Sequence, residues 1–153
     1  MFRDLRRKDK KMDKEATIDL LEKADVGVLS TLGEDGYPYG VALNYVYLNH
    51  KIYFHCAKDG HKLDNINFHN KVSFSIYDDV QIKGKALTTF YRSLVVFGKA
   101  RIIETDEDIL LALVLKYADL DENMARNMIR KEIDVTALVE IDVDHISGKI
   151  GNK

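Results

Sequence analysis

The chain has 153 residues, 46% of them hydrophobic and 31% charged, with one Pro, one Cys and no Trp. That length predicts a single domain, residues 1–153, with a sizeable buried core, and the ordinary apolar fraction excludes global disorder. With Cys56 as the lone cysteine, an internal disulfide framework is excluded as well.

The longest apolar runs, such as residues 109–115, are too short to span a bilayer, and the first residues are charged rather than apolar. No membrane association and a cytoplasmic location are therefore expected. Net charge is only −2, but its distribution is uneven. Residues 1–14 hold seven basic side chains against three acidic ones, a local excess of +4 that leaves about −6 on the remainder. A basic N-terminal arm, residues 1–12, can bind nucleic acid or anionic lipid, or lie solvated against a neighbouring subunit. The arm lacks interleaved aromatics and the body is acidic, so nucleic acid is not the expected partner.

In chain order, Asp13 is a candidate N-cap for a helix over Lys14–Lys23, with Ile18, Leu21 and Ala24 on one face. The period then changes to that of strands. Residues 26–32 form a short apolar run that ends at Glu34-Asp35-Gly36, a hairpin signal. A second strand is expected over 39–47, and Asn49-His50 is the tight turn into a third, Lys51–Ala57. Together these predict a three-stranded antiparallel meander. A short helix over 61–69 carries Leu63, Ile66 and Phe68. Further strands are expected over 72–77 and 92–103, with Gly98 marking a bulge or a close backbone approach. Thr105-Asp106-Glu107-Asp108 opens a helix with capping-box spacing, a second helix follows over 122–130, and 136–143 is the closing strand. Six mostly consecutive strands and three or four helices predict an α+β protein: an antiparallel, Greek-key-like barrel flanked by helices.

The stretch from Tyr53 to Lys62 carries the clearest chemistry. It places a strand end, a glycine loop and a helix start in succession, with His61 and Lys62 in the first helical turn. Helix N-termini attract anions, while a lysine there opposes the dipole unless an anion neutralises both. Phosphate binding and plain solvation both fit this pattern. Phe54 and His55 alternate on a strand, so one faces inward, and His55 reads as a core residue or a catalyst. The five histidines and Cys56 show no zinc-type spacing, so no metal is expected. Cys56 reads as a buried, inert thiol rather than a nucleophile. The carboxylates of Asp78-Asp79 and Asp106/Asp108 read as turn and cap residues.

The array Val28-Leu29-Ser30-Thr31, Asp35-Gly36-Tyr37-Pro38-Tyr39, Ile52-Tyr53-Phe54-His55-Cys56-Ala57, Gly60-His61-Lys62 and Asn70-Lys71-Val72 resembles the pyridoxamine-5′-phosphate-oxidase-like split-barrel superfamily. Arg6-Arg7-Lys8-Asp9, Met12-Asp13, the segment 88–98 and Ile146-Ser147-Gly148-Lys149 are similar to its 5-nitroimidazole-resistance branch. The resemblance runs in order along nearly the whole chain.

It implies a homodimeric split β-barrel with FMN at the subunit interface. Val41, Ala42, Leu43 and Asn44 would flank the isoalloxazine ring. His55, Cys56 and Ala57 would lie at a strand end beside the ribityl chain and phosphate, which His61 and Lys62 would grip. Ser93 would come from the other subunit. A histidine at the position of His55 has been proposed to act on substrate in that branch. Two departures stand out. Val41 replaces the oxidase's arginine, and no pyridoxal-phosphate segment follows 141–149, so vitamin B6 oxidation is not expected.

Members of the superfamily also bind FAD, haem or a deazaflavin. The resemblance therefore implies an FMN-dependent reductase, taking electrons from transiently bound NAD(P)H to a small nitroaromatic-like acceptor, with His55 as proton donor. The alternative is a non-catalytic flavin or haem carrier or sensor.

Overall fold

Asp13 accepts a hydrogen bond from the Ala16 N–H at 2.7 Å and so starts α1 (Lys14–Lys23) where its cap chemistry places it. Leu20 and Leu21 are fully buried, while Ile18 and Ala24 pack at the margin of the same core. The computed structural model describes residues 1–151. Seven strands follow: β1 (Gly27–Leu32), β2 (Pro38–Leu43), β3 (Val46–Leu48), β4 (Lys51–Ala57), β5 (Lys71–Lys83), β6 (Thr88–Ile103) and β7 (Thr136–Gly151). The remaining helices are α2 (His61–Phe68), α3 (Glu107–Tyr117) and α4 (Glu122–Glu132). The strands form one antiparallel sheet in the order β2-β1-β5-β6-β7-β4-β3.

The expected meander is corrected here. Residues 39–47 are not one strand: β2 pairs with β1, and β3 pairs with β4 at the opposite edge of the sheet. The break falls at Asn44 and Tyr45, and its cause lies far away in sequence. The Tyr45 N–H donates to the Tyr117 hydroxyl at 3.0 Å, and the Tyr45 carbonyl accepts from the Lys116 ammonium at 3.1 Å. Side chains of α3 thus satisfy the backbone groups that a strand neighbour would otherwise take. Asn44 is held separately, donating to the Asp25 carbonyl at 3.0 Å.

Leu43 and Val46 are three residues apart, so the end of β2 and the start of β3 lie within about 11 Å. Yet the two strands are opposite edges of the sheet. The sheet therefore curls until its edges approach, and it stays open along that seam because β2 and β3 share no ladder. This is a split barrel with seven strands rather than the six expected.

Alternation along each strand divides the core in two. Ile52 and Phe54 of β4 join Leu29, Phe74 and Val96 inside the curl, which α1 and α2 cover. Tyr53 points the other way and packs with Leu110, Leu113, Ala125 and Ile129 beneath α3 and α4. Phe68, expected on the buried face of α2, is exposed; Leu63 and Ile66 are buried as expected. The helix cap before α3 is Asp106, which accepts from the Asp108 and Ile109 N–H groups, and Thr105 lies outside it. Asp78 is no turn residue: it lies in β5 and pairs with Arg92 through two hydrogen bonds, at 2.9 and 2.5 Å. Gly98 sits at a register shift between β6 and β7, and a Cβ there would stand 2.5 Å from the Asp142 carbonyl oxygen. The close approach forecast for Gly98 is thus the reason for the glycine.

Candidate functional site

β4 ends at Ala57, and Gly60 then adopts φ 155° and ψ 162°, a region that glycine alone occupies freely. Having no side chain to cap the helix, Gly60 offers only its carbonyl, which accepts from the Leu63 and Asp64 N–H groups. The N–H groups of His61 and Lys62 therefore lack intrahelical partners and point out of a positive dipole end. α2 is anchored beneath by the buried Asn65, whose amide donates to the Thr31 hydroxyl at 3.0 Å.

The two sides of this helix start differ in charge. On one side His61 stacks on Tyr39 of β2, ring centroids 4.0 Å apart, above a cleft of about 490 Å³ that Glu34, Asp35 and Asp64 also line. Three carboxylates make that side unsuited to a phosphate. On the other side the Lys62 ammonium acts on Cys56: burial pushes the thiol up, and the lysine charge pulls it part of the way back. The candidate side chains on this side are thus Lys62 and Cys56, with Ala57 exposed at the strand end. His61 supplies its N–H and its ring stack. Tyr39, which sequence reasoning missed, ties β2 to α2; its only prior signal was its place beside the Tyr37-Pro38 turn.

β2 is an edge strand, paired on one side only. Val41 and Leu43 turn toward the barrel core, whereas Ala42 and Asn44 are exposed. Its free edge presents unpaired N–H and C=O groups of the kind that hydrogen-bond the rim of a planar heterocycle.

His55 departs from this group. Phe54 faces the core, so His55 faces outward, opposite to Cys56. It borders an apolar recess of about 220 Å³ with Leu110, Val114, Met128 and Ile129, rimmed by Glu132 and Thr136. Burial of part of the ring lowers the imidazole below its ordinary value of 6.5.

Ser93 lies on β6 at a different level of the sheet from Ala57. It pairs with Lys149, whereas Ala57 pairs with Thr136 of the same β7 strand, thirteen residues away. At ~3.3 Å per residue that is a strand path of about 43 Å. Within one chain, β4 and α2 bring Cys56, Ala57, His61 and Lys62 together, the Tyr39–His61 stack ties β2 to them, His55 lies on the opposite face of β4, and Ser93 lies well along β7 from Ala57. Among the described residues, no group of three or more His, Cys, Asp or Glu is placed to hold a metal ion, and no helix is long and apolar enough to cross a membrane.

Residues 13–150 match the family model of pyridoxamine 5′-phosphate oxidase. A search of curated protein sequences returns no match. Among solved structures, a conserved protein of Mycobacterium tuberculosis is 19% identical with a TM-score of 0.83, covering 96% of this chain and 90% of that one. A FAD and heme binding protein of Mycobacterium smegmatis is also 19% identical, TM-score 0.79, covering 94% and 74%. A protein of Bacteroides thetaiotaomicron named for 5-nitroimidazole antibiotic resistance is 20% identical, TM-score 0.70, covering 92% and 86%. At these identities the likeness shows the fold alone.

Proposed function

From its membership of the pyridoxamine 5′-phosphate oxidase family, to which this chain belongs over residues 13–150, we propose a flavin-dependent oxidoreductase that works as a homodimer. The observation that carries this reading is the open helix start at Gly60–Lys62 beside the strand end at Cys56 and Ala57. Its free N–H groups, dipole and ammonium fit the phosphate of FMN, and the free edge of β2 fits the rim of a flat ring. When bound, the flavin supplies the redox chemistry, taking electrons from a nicotinamide donor and passing them to a small acceptor.

The chain's own residues bind and orient. Lys62 anchors the phosphate, Ala42 and Asn44 border the ring, and the Tyr39–His61 stack fixes the edge strand against α2. His55 stands two residues before the end of β4, about 7 Å along the strand from Ala57. There its ring borders the apolar recess beneath α3 and α4 rather than the proposed flavin site, so this chain's geometry gives it no contact with an acceptor stacked on the flavin. The likeness to the Bacteroides protein supports a nitroaromatic-like acceptor. Ser93, well along the sheet from Ala57, would reach the site of the second copy.

A visible spectrum of the purified protein tests the cofactor. Oxidised-flavin bands support a flavin, a Soret band replaces flavin by haem, and a colourless protein that takes up neither sinks the proposal. The likeness to the FAD and heme binding protein supports a second reading, a carrier without turnover. Anaerobic NADH or NADPH separates the two: bleaching marks a reductase, and persistent colour marks the carrier.

A further inference from the structure

The basic arm has no part in the site above, and it is not a free tail. Phe2 stacks on His145, with centroids 4.7 Å apart and planes 8° from parallel, and on Phe97 at 5.6 Å. Farther on, Lys11 bridges to Lys149, and the Met12 N–H donates to the Gly148 carbonyl at 2.9 Å. The arm is thus pinned at both ends across one stretch of β7, like a strap. Along it lie two adjoining chambers of about 270 and 440 Å³, which share Lys11 and the wall His145-Ile146-Ser147. That wall borders the irregularity in the β6–β7 ladder, where Phe97 pairs with His145 and Gly98 with Val143, leaving Asp144 unpaired between them. Bulges of this kind re-aim side chains and recur beside binding sites.

The charges are lopsided. Arg3, Lys8 and Lys11 line the smaller chamber against the single carboxylate of Asp4. Lys11 and Lys14 line the larger one against Asp144. Among the described residues, the arm's one ion pair joins Arg7 to Asp9 and involves none of these four cations. Cations gathered along a cleft without partners raise the local concentration of anions, and the Ser147 hydroxyl adds a neutral hydrogen-bonding group.

We infer that the strap and β7 form a second ligand site, separate from the flavin site, that takes a small molecule bearing a diphosphate. Cations gathered on both sides of the shared Lys11 fit a multiply charged group better than a single anion. A walled cleft fits a small ligand better than a duplex or a membrane, which engage open surfaces. The inference does not rest on the flavin reading.

Titration calorimetry of the full chain with inorganic pyrophosphate, at low salt and with excess FMN present, tests it. Low salt is chosen because screening weakens exposed contacts. Saturable binding is expected. The triple variant Arg3→Ala, Lys8→Ala, Lys11→Ala should bind at least about tenfold more weakly, the effect of losing one charge-assisted contact or more. Phe2→Ala keeps all these charges but unpins the strap, and it should also bind more weakly. Lys62→Ala should bind as the unaltered protein does. Four results would overturn the inference: no saturable binding, unchanged affinity in the triple variant or in Phe2→Ala, loss of binding in Lys62→Ala, or displacement of pyrophosphate by duplex DNA that binds more tightly.

Discussion

Two neighbouring side chains, His55 and Cys56, carry opposite consequences of the same strand geometry. Cys56 turns toward Lys62, and its thiol is raised by burial and partly lowered by that ammonium. Lys62→Ala should therefore raise the thiol further and leave less thiolate. Alkylation by iodoacetamide, followed at a pH below the ordinary thiol value of 9.0, should slow. An unchanged rate would place Lys62 away from Cys56 and weaken the anion site with it. For His55 the folded state holds the proton less well than the unfolded chain, because burial lowers the imidazole below 6.5. Its contribution to stability is then complete above that value and is lost as pH falls from 6.5 through the lower folded value. His55→Gln should flatten the dependence of melting temperature on pH across that window, and an unaltered slope would show that the ring is not desolvated.

At the scale of elements, the seam between β2 and β3 depends on α3. Lys116 donates to the Ala24 carbonyl at 2.7 Å and the Tyr45 carbonyl at 3.1 Å, and its ammonium lies 4.0 Å from the Tyr45 ring centroid. Burial lowers its pKa, so the charge is tolerated only because these partners surround it. Lys116→Met keeps the aliphatic length and removes the donors, and should cost about 1–3 kcal/mol. Urea unfolding should show this as a lower midpoint at constant m-value; an unchanged midpoint would mean the seam holds without the clamp. The same residues show where sequence reading stops. The Asp13 cap, the Asn49-His50 turn and the helix start at His61 were legible because local chemistry decides each one. The division of residues 39–47 was not legible, because the partners of Tyr45 lie 71 and 72 residues away. The outward face of His55 was likewise undecided, since alternation fixes that Phe54 and His55 differ but not which points inward.

At the scale of the whole molecule, one chain leaves its longest hairpin unexplained. Beyond the Asp78–Arg92 pair, β5 and β6 run on to a turn at Gly84–Ala86, exposing Tyr77, Val80, Ile82 and Leu87. Ile82 is 81% exposed and Leu87 92%. Leu87 also adopts φ 50° and ψ 41°, a left-handed conformation that is unfavourable for a leucine. A single chain gains nothing from an apolar side chain held there, whereas a second copy would bury it. The same hairpin leads into Ser93, a candidate cofactor contact that lies well along the sheet from the strand end at Ala57. In the proposed homodimer, contact through the hairpin would cover this surface and bring Ser93 to the second copy. Light scattering should give a mass roughly twice 17.5 kDa for the unaltered protein. Ile82→Asp combined with Leu87→Asp places two charges where the apolar contact would form, and should yield a monomer. Both positions are exposed in the single chain, so each monomer should keep its own fold and its far-ultraviolet circular dichroism. Flavin content should fall with the loss of the dimer, because each site then lacks the groups beside Ser93. An unaltered protein that is monomeric yet fully loaded with flavin would sink the shared-site reading. A variant that stays dimeric would move the interface off this hairpin.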